Sequence, residues 1–134
     1  LTRVPAVLVP ERWAPSELHR VAVDIAEKTK KPQCIATLGP LYALEGGCDI
    51  YRELASGSII YRAADAMSAK ERTITRTVGP ETIDALLRHQ PPSTVVLGVE
   101  PSYFAFLEEP LSEIIEPTWP REVYDDGLRA YFRP

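Results

Sequence analysis

Cysteine is scarce in this sequence, with Cys34 and Cys48 the only two. One disulfide is the most they can form, it would close a small loop, and it would need an oxidising compartment. Two small, partly buried thiols is the simpler reading. Histidine is equally rare, and His19 and His89 lie far apart, so a zinc site built from Cys and His lacks ligands. Both histidines fall on expected helices, where solvated or capping roles suffice. Positive charge is in the minority. Fifteen Lys and Arg stand against nineteen Asp and Glu, a net charge of −4, which argues against a nucleic-acid-binding stripe. The densest basic group, Lys28, Lys30 and Lys31, reads as a solvated helix end. No apolar run approaches the ~18 residues of a membrane span, and no signal-peptide pattern is present. Neither G-x-G-x-x-G nor G-x-x-x-x-G-K-[ST] occurs, so Gly46-Gly47 reads as a turn and not a phosphate cradle. The absence of G-x-S-x-G removes an esterase-like nucleophile elbow.

The composition that remains, 45% hydrophobic and 25% charged over 134 residues, fits one globular domain with a real core. Thirteen prolines fall mostly between apolar segments and punctuate them. The chain begins at Leu1, and residues 1–12 read as connecting chain, so the domain is expected to be a piece of something longer.

Helix and strand signals alternate along the chain. Ser16 is a candidate N-cap with Trp13 packing back on the first turn. Leu18, Val21, Ala22, Ile25 and Ala26 then recur at helical spacing up to Lys30-Lys31-Pro32. The apolar run 34–38 predicts a strand that stops at Gly39-Pro40. A loop follows, with a helical turn near 49–55 and a helix over 59–67. Ser68-Ala69-Lys70-Glu71 has capping-box spacing, predicting a helix from Ala69; the β-branched stretch 73–78 fits neither helix nor strand cleanly. Pro80 at a first helical position predicts a helix with a buried Ile83, Leu86, Leu87 stripe. Pro91-Pro92 ends it, and the β-branched run Thr94–Val99 predicts a central strand covered on both faces. A short helix is expected between Pro110 and Pro117, with Trp119 as a core plug. Asp126-Gly127 between two apolar stretches predicts a closing hairpin. The helix–strand rhythm at 16–38 and 80–99 predicts an α/β fold: a three-layer Rossmann-like sandwich, with a short, mainly parallel sheet ending in an antiparallel hairpin.

The segment 34–62 is the first place to look for function, because ligands of α/β proteins sit beyond the carboxyl ends of strands. Glu45, Asp49 and Glu53 recur every four residues and would share one face of a helix. Carboxylates so placed suit a cation or acid–base chemistry; more often such spacing marks a solvated face paired with neighbours such as Arg52. Tyr42, Tyr51 and Tyr61 with Arg52 and Arg62 suit a sugar ring, a phosphate or a protein partner. The favoured reading is structural: the tyrosines cover the core edge while the arginines pair with Glu45 or Glu53. The candidate contact set is Tyr42, Glu45, Asp49, Tyr51, Arg52, Glu53 and Arg62. No catalytic residue, metal ligand or cofactor is expected.

Several short segments carry a resemblance: Ala36-Thr37-Leu38-Gly39-Pro40, Leu44-Glu45-Gly46-Gly47, Ile50 to Gly57, and Tyr61-Arg62. Val78-Gly79-Pro80, the Leu86-Leu87 helix, Pro91-Pro92 and the valine-rich strand follow. Together they cover about half the chain. They resemble the C-terminal soluble domain of bacterial GT-C-type membrane glycosyltransferases, the dolichyl-phosphate-mannose–protein mannosyltransferase and aminoarabinose-transferase-like group. The resemblance implies a helical membrane body using a polyprenyl-phosphate sugar donor, with this domain on the extracytoplasmic, periplasmic side. It implies an accessory role, capping the active site or helping to select the acceptor, with the membrane body, lipid-linked sugar or acceptor as partners. The acidic catalytic residues of that group belong to a loop among its membrane helices, and no position here corresponds to them. The alternative is a free-standing cytoplasmic α/β module that binds a small ligand or protein partner. A third reading, a small enzyme using Glu45, Asp49 and Glu53, ranks behind both.

Overall fold

A computed structural model describes residues 14–134. The connecting segment 1–12 and Trp13 lie outside the described residues. Helix α1 (Ala14–Lys28) buries Val21, Ala22, Ile25 and Ala26, the stripe expected from the periodicity. It starts ahead of Ser16, which therefore stands inside the first turn and not at the N-cap. Pro15 explains the earlier start: near a helix N-terminus its missing N–H costs nothing and its fixed φ suits the helix.

Five strands form one open sheet in the order β2-β1-β3-β5-β4. They are β1 (Cys34–Ala36), β2 (Asp49–Ile50), β3 (Thr94–Leu97), β4 (Arg121–Val123) and β5 (Arg129–Phe132). β1 runs parallel to β2 and to β3, with Ile35 opposite Ile50 and Thr94. β5 is antiparallel to β3 and β4, pairing Val95 with Tyr131 and Glu122 with Ala130. The fold is thus α/β with a mixed sheet, and the C-terminal hairpin is antiparallel as expected. The sheet is not mainly parallel, because β5 inserts directly beside β3 and makes half of the strand pairings antiparallel. β2 occupies part of the segment expected to be a helical turn; that turn begins only at Arg52, as a 3₁₀ helix over Arg52–Leu54.

The helices follow local chemistry. α2 (Pro40–Leu44) starts on its proline. α3 (Ser58–Ala63) continues as a 3₁₀ turn, Ala64–Ala66. α4 (Ala69–Thr75) has the expected capping box: Ser68 Oγ accepts the Glu71 N–H at 3.2 Å, and Glu71 Oε2 accepts the Ser68 N–H at 2.8 Å. It ends at Arg76, in the left-handed conformation, which resolves the ambiguous stretch after Thr73. α5 (Ile83–His89) begins after Pro80, contrary to expectation. Gly79 to Thr82 forms a separate turn, in which the Gly79 carbonyl accepts the Thr82 and Ile83 N–H groups, both at 3.0 Å. The aromatic stretch after β3 forms a 3₁₀ helix (Ser102–Glu108) leading into α6 (Glu109–Ser112).

Both faces of the sheet are covered. Tyr51, Leu54, Tyr61, Leu87, Leu111 and Trp119 pack with Val95 on one side. Val21, Ile25, Ala43 and Cys48 pack with Ile35, Val96 and Phe132 on the other. Adjacent valines of β3 therefore serve opposite layers, as strand alternation requires. Trp119 fills the core as expected. Cys34 packs into the first layer and Cys48 into the second, and both are free thiols. Burial raises the pKa of each thiol above its ordinary value. α2 lies close to α1 because Gly46 has no side chain: a Cβ there would stand 2.5 Å from the Ala22 carbonyl oxygen.

Candidate functional site

The chain leaves β1 and β3 in opposite directions. After β1 it turns through Gly39 into α2, whose Ala43 joins one layer; after β3 it enters the 3₁₀ helix whose Leu107 joins the other. Such a reversal opens a crevice at the carboxyl ends of the two strands. The loops touch at its base, where a Cβ on Gly39 would lie 2.7 Å from Val99 Cγ1. Thr37 shapes the exit from β1, its Oγ1 accepting the Gly39 N–H at 3.0 Å. Above this contact lies an open cleft of about 460 Å³.

Four parts of the chain line the cleft. The first turns of α1 contribute Glu17, Leu18, Arg20 and Val21, and α2 contributes Tyr42. The β3 exit supplies Gly98 to Pro101, and the hairpin supplies Tyr124, Asp125 and Leu128. The hairpin reaches this far because Gly98 (φ +84) lets it approach: a Cβ at Gly98 would stand 2.3 Å from the Gly127 carbonyl oxygen. Near the cleft, α1 is tied to the turn end of the hairpin. The Tyr124 hydroxyl donates to Asp24 Oδ2 at 2.6 Å, and Arg20 Nη2 lies 4.0 Å from Asp125 Oδ2. The hydrogen bonds from Lys28 and Tyr124 hold the Asp24 carboxyl below its usual pKa. Burial, and then the hydrogen bond to Asp24, push the Tyr124 phenol well above its own.

The wall formed by the β3 exit is fixed by Glu108. Its side chain is buried, and its two oxygens accept the Gly98 N–H at 2.9 Å and the Val99 N–H at 3.1 Å. Burial raises its pKa, outweighing the lowering effect of those two bonds. The cleft therefore joins tyrosine faces and carboxylates on a braced frame, a surface suited to hydroxyl-rich or ring-shaped ligands. No nucleophile–base pair faces it among the described residues.

Of the residues singled out from the sequence, Tyr42 alone lines this cleft. Glu45 follows α2 and pairs with His19, Nδ1 to Oε2 3.0 Å. Asp49 is exposed on the edge strand β2, and Glu53 borders the same open groove as Arg72 and Arg76. The three acids are therefore not on one helical face, and among the described residues no His, Cys, Asp or Glu cluster of metal-binding size forms. Tyr51 and Tyr61 are core residues rather than covers of the core edge, and the Tyr51 hydroxyl donates to the Gln90 carbonyl. Arg62 stacks over the Phe104 ring at 4.9 Å, and Arg52 is exposed. Neither arginine pairs with Glu45 or Glu53.

Reading outward from 34–62 missed Glu17, Arg20, Glu100, Glu108 and Tyr124. Asp125 directly precedes the Asp126-Gly127 turn read from the sequence. The usable signal was topological: a hairpin placed beside a central strand brings its turn to that strand's end. Comparison with protein-family models, with curated proteins and with solved structures returns no match to this chain.

Proposed function

We propose that this chain is a three-layer Rossmann-like recognition domain without catalysis of its own. Its setting is the extracytoplasmic side of a polyprenyl-phosphate-sugar-dependent, bacterial membrane glycosyltransferase-like protein. There it caps the active site or helps to select the acceptor. The observation that carries the recognition role is the cleft beyond β1 and β3, where Tyr42 and Tyr124 lie with Glu17, Glu100 and Asp125. Aromatic faces with carboxylate acceptors suit a sugar, whose C–H face packs on a ring while its hydroxyls donate. The membrane setting is supported by the segment resemblance.

Each part has its own test. Titration with a methyl glycoside and with a water-soluble polyprenyl-phosphate-sugar analogue should shift the backbone amides of Tyr42, Val99 and Leu128 saturably. Unmoved amides at these positions would remove the recognition role. The open reading frame that encodes the chain should carry roughly eight or more apolar spans of ~20 residues ahead of Leu1. An initiator Met directly before Leu1 would leave a free-standing ligand-binding module in its place.

A further inference from the structure

The opposite end of the sheet carries a second, chemically different groove. Thr94 opens β3 and pairs with Phe132 near the end of β5, so this end lies away from the cleft. Lys28 and Lys30 arrive from the end of α1, Arg121 opens β4, and Arg133 follows β5. All four border one groove of about 440 Å³ whose apolar lining comes from Pro120, Phe132 and Pro134. The sequence shows only the lysine half of this group, because Arg121 and Arg133 lie about ninety to a hundred residues further along the chain.

The charges are not internally cancelled. Lys28 lies between Asp24 at 2.7 Å and Glu122 at 3.4 Å, a trio that carries one net negative charge. Lys30, Arg121 and Arg133 make no ion pair among the described residues. Against the three remaining cations stand the surplus carboxylate of that trio and the carbonyl end of α1, which opposes an anion with roughly half a negative charge. The balance stays positive on a chain whose net charge is −4. Two guanidinium groups favour a phosphoryl head, which accepts paired N–H donors. The apolar lining favours a body attached to that head.

We propose that this groove binds an organic phosphate, a phosphoryl group carried on a small apolar body, presented as a soluble ester or as a lipid headgroup. The site is separate from the cleft, and its test does not depend on the cleft's ligand. The probes are phenyl phosphate, inorganic phosphate, and vesicles of phosphatidylglycerol or phosphatidylcholine. For these titrations a short neutral extension is added after Pro134, so that no carboxylate at that position competes for the cations. Phenyl phosphate should shift the amides of Arg121, Phe132 and Arg133 saturably, more tightly than inorganic phosphate and less tightly as salt rises. Neutralising exposed Lys30 and Arg121 together (Lys30→Gln, Arg121→Gln) should weaken it by about tenfold or more, with the melting temperature unchanged. Arg133→Gln should act in the same direction independently. Sedimentation with phosphatidylglycerol but not phosphatidylcholine vesicles, lost in the double variant, assigns the lipid source. Phenyl phosphate binding without vesicle preference assigns a soluble ester. The proposal is overturned if neither phenyl phosphate nor phosphatidylglycerol binds, if the double variant binds as well as the parent, or if the shifts spread beyond the groove.

Discussion

Tyr51 and Tyr61 occupy the same hydrophobic layer with 3% and 1% of their surface exposed, yet their hydroxyls are treated differently. The Tyr51 hydroxyl donates to the Gln90 carbonyl; the Tyr61 hydroxyl is buried and has no partner among the described residues. Burial raises both phenol pKa values, so neither ring ionises in any ordinary buffer. Removing each oxygen should therefore move stability in opposite directions. In Tyr61→Phe the folded state no longer desolvates an unsatisfied hydroxyl, a gain of about 1–3 kcal/mol. The small void left behind subtracts a few tenths, at ~24 cal/mol per Å³. A net stabilisation of about 1 kcal/mol, or roughly 4 °C in melting temperature for a domain of this length, is expected. Tyr51→Phe removes a made bond and should cost about 1 kcal/mol, near 4 °C in the other direction. Thermal unfolding by circular dichroism, with urea melts as a check, reads both. Displacements of the same sign, or a Tyr61→Phe variant less stable than the parent, would refute the reasoning.

Three further outcomes are expected. Gly46→Ala forces a methyl against the Ala22 carbonyl and Ala26 Cβ, so α1 and α2 must part; a loss of about 1–3 kcal/mol should appear in urea unfolding. Ser68→Ala removes one half of the α4 capping box and should cost about 1 kcal/mol in the same assay, with the native spectrum retained. Glu108 sets a pH dependence. Its folded pKa is raised, so the stability linked to its protonation is fully present below the unfolded pKa of about 4.3 and is lost as pH rises through the folded value. The stability of the parent relative to Glu108→Gln should accordingly improve as pH is lowered from neutral toward about 4.3. A pH-independent difference between the two would show that the carboxyl is not buried as described.

What could be read in advance was what local chemistry alone determines. The stripe of α1, the Ser68–Glu71 capping box, the β-branched run of β3 and the Asp-Gly hairpin each carry their signal within a few residues. β2 carries none, since two residues have no period, and it exists only because β1 offers its edge to Asp49 and Ile50. The 3₁₀ helix Ser102–Glu108 shows no clear helical stripe, and Glu108 receives its role from the Gly98 and Val99 N–H groups rather than from neighbours in sequence. The cleft depends still more on tertiary structure. Tyr124 meets Asp24 across 100 positions of chain, a distance no motif spans. The segment 34–62 was informative about the fold because Gly39, Gly46 and Gly57 mark close passages of backbone. Its three acids lie on separate elements, and neither Arg52 nor Arg62 pairs with Glu45 or Glu53.

The brevity of the outer strands bears on how the molecule behaves in a crowd. Among the described residues the sheet ends in β2, two residues long, and β4, three residues long, with Arg121, Glu122 and Val123 all facing solvent. An approaching extended chain finds main-chain partners for only a residue or two on either flank, and charged groups beside them on β4. The valine-rich stretch that would most readily stack into fibrils, Thr94–Leu97, lies between β1 and β5 with both its edges occupied. Resistance to self-association therefore rests on the C-terminal hairpin staying paired. Truncation before Arg121 would expose an edge of β3 to pairing with other chains.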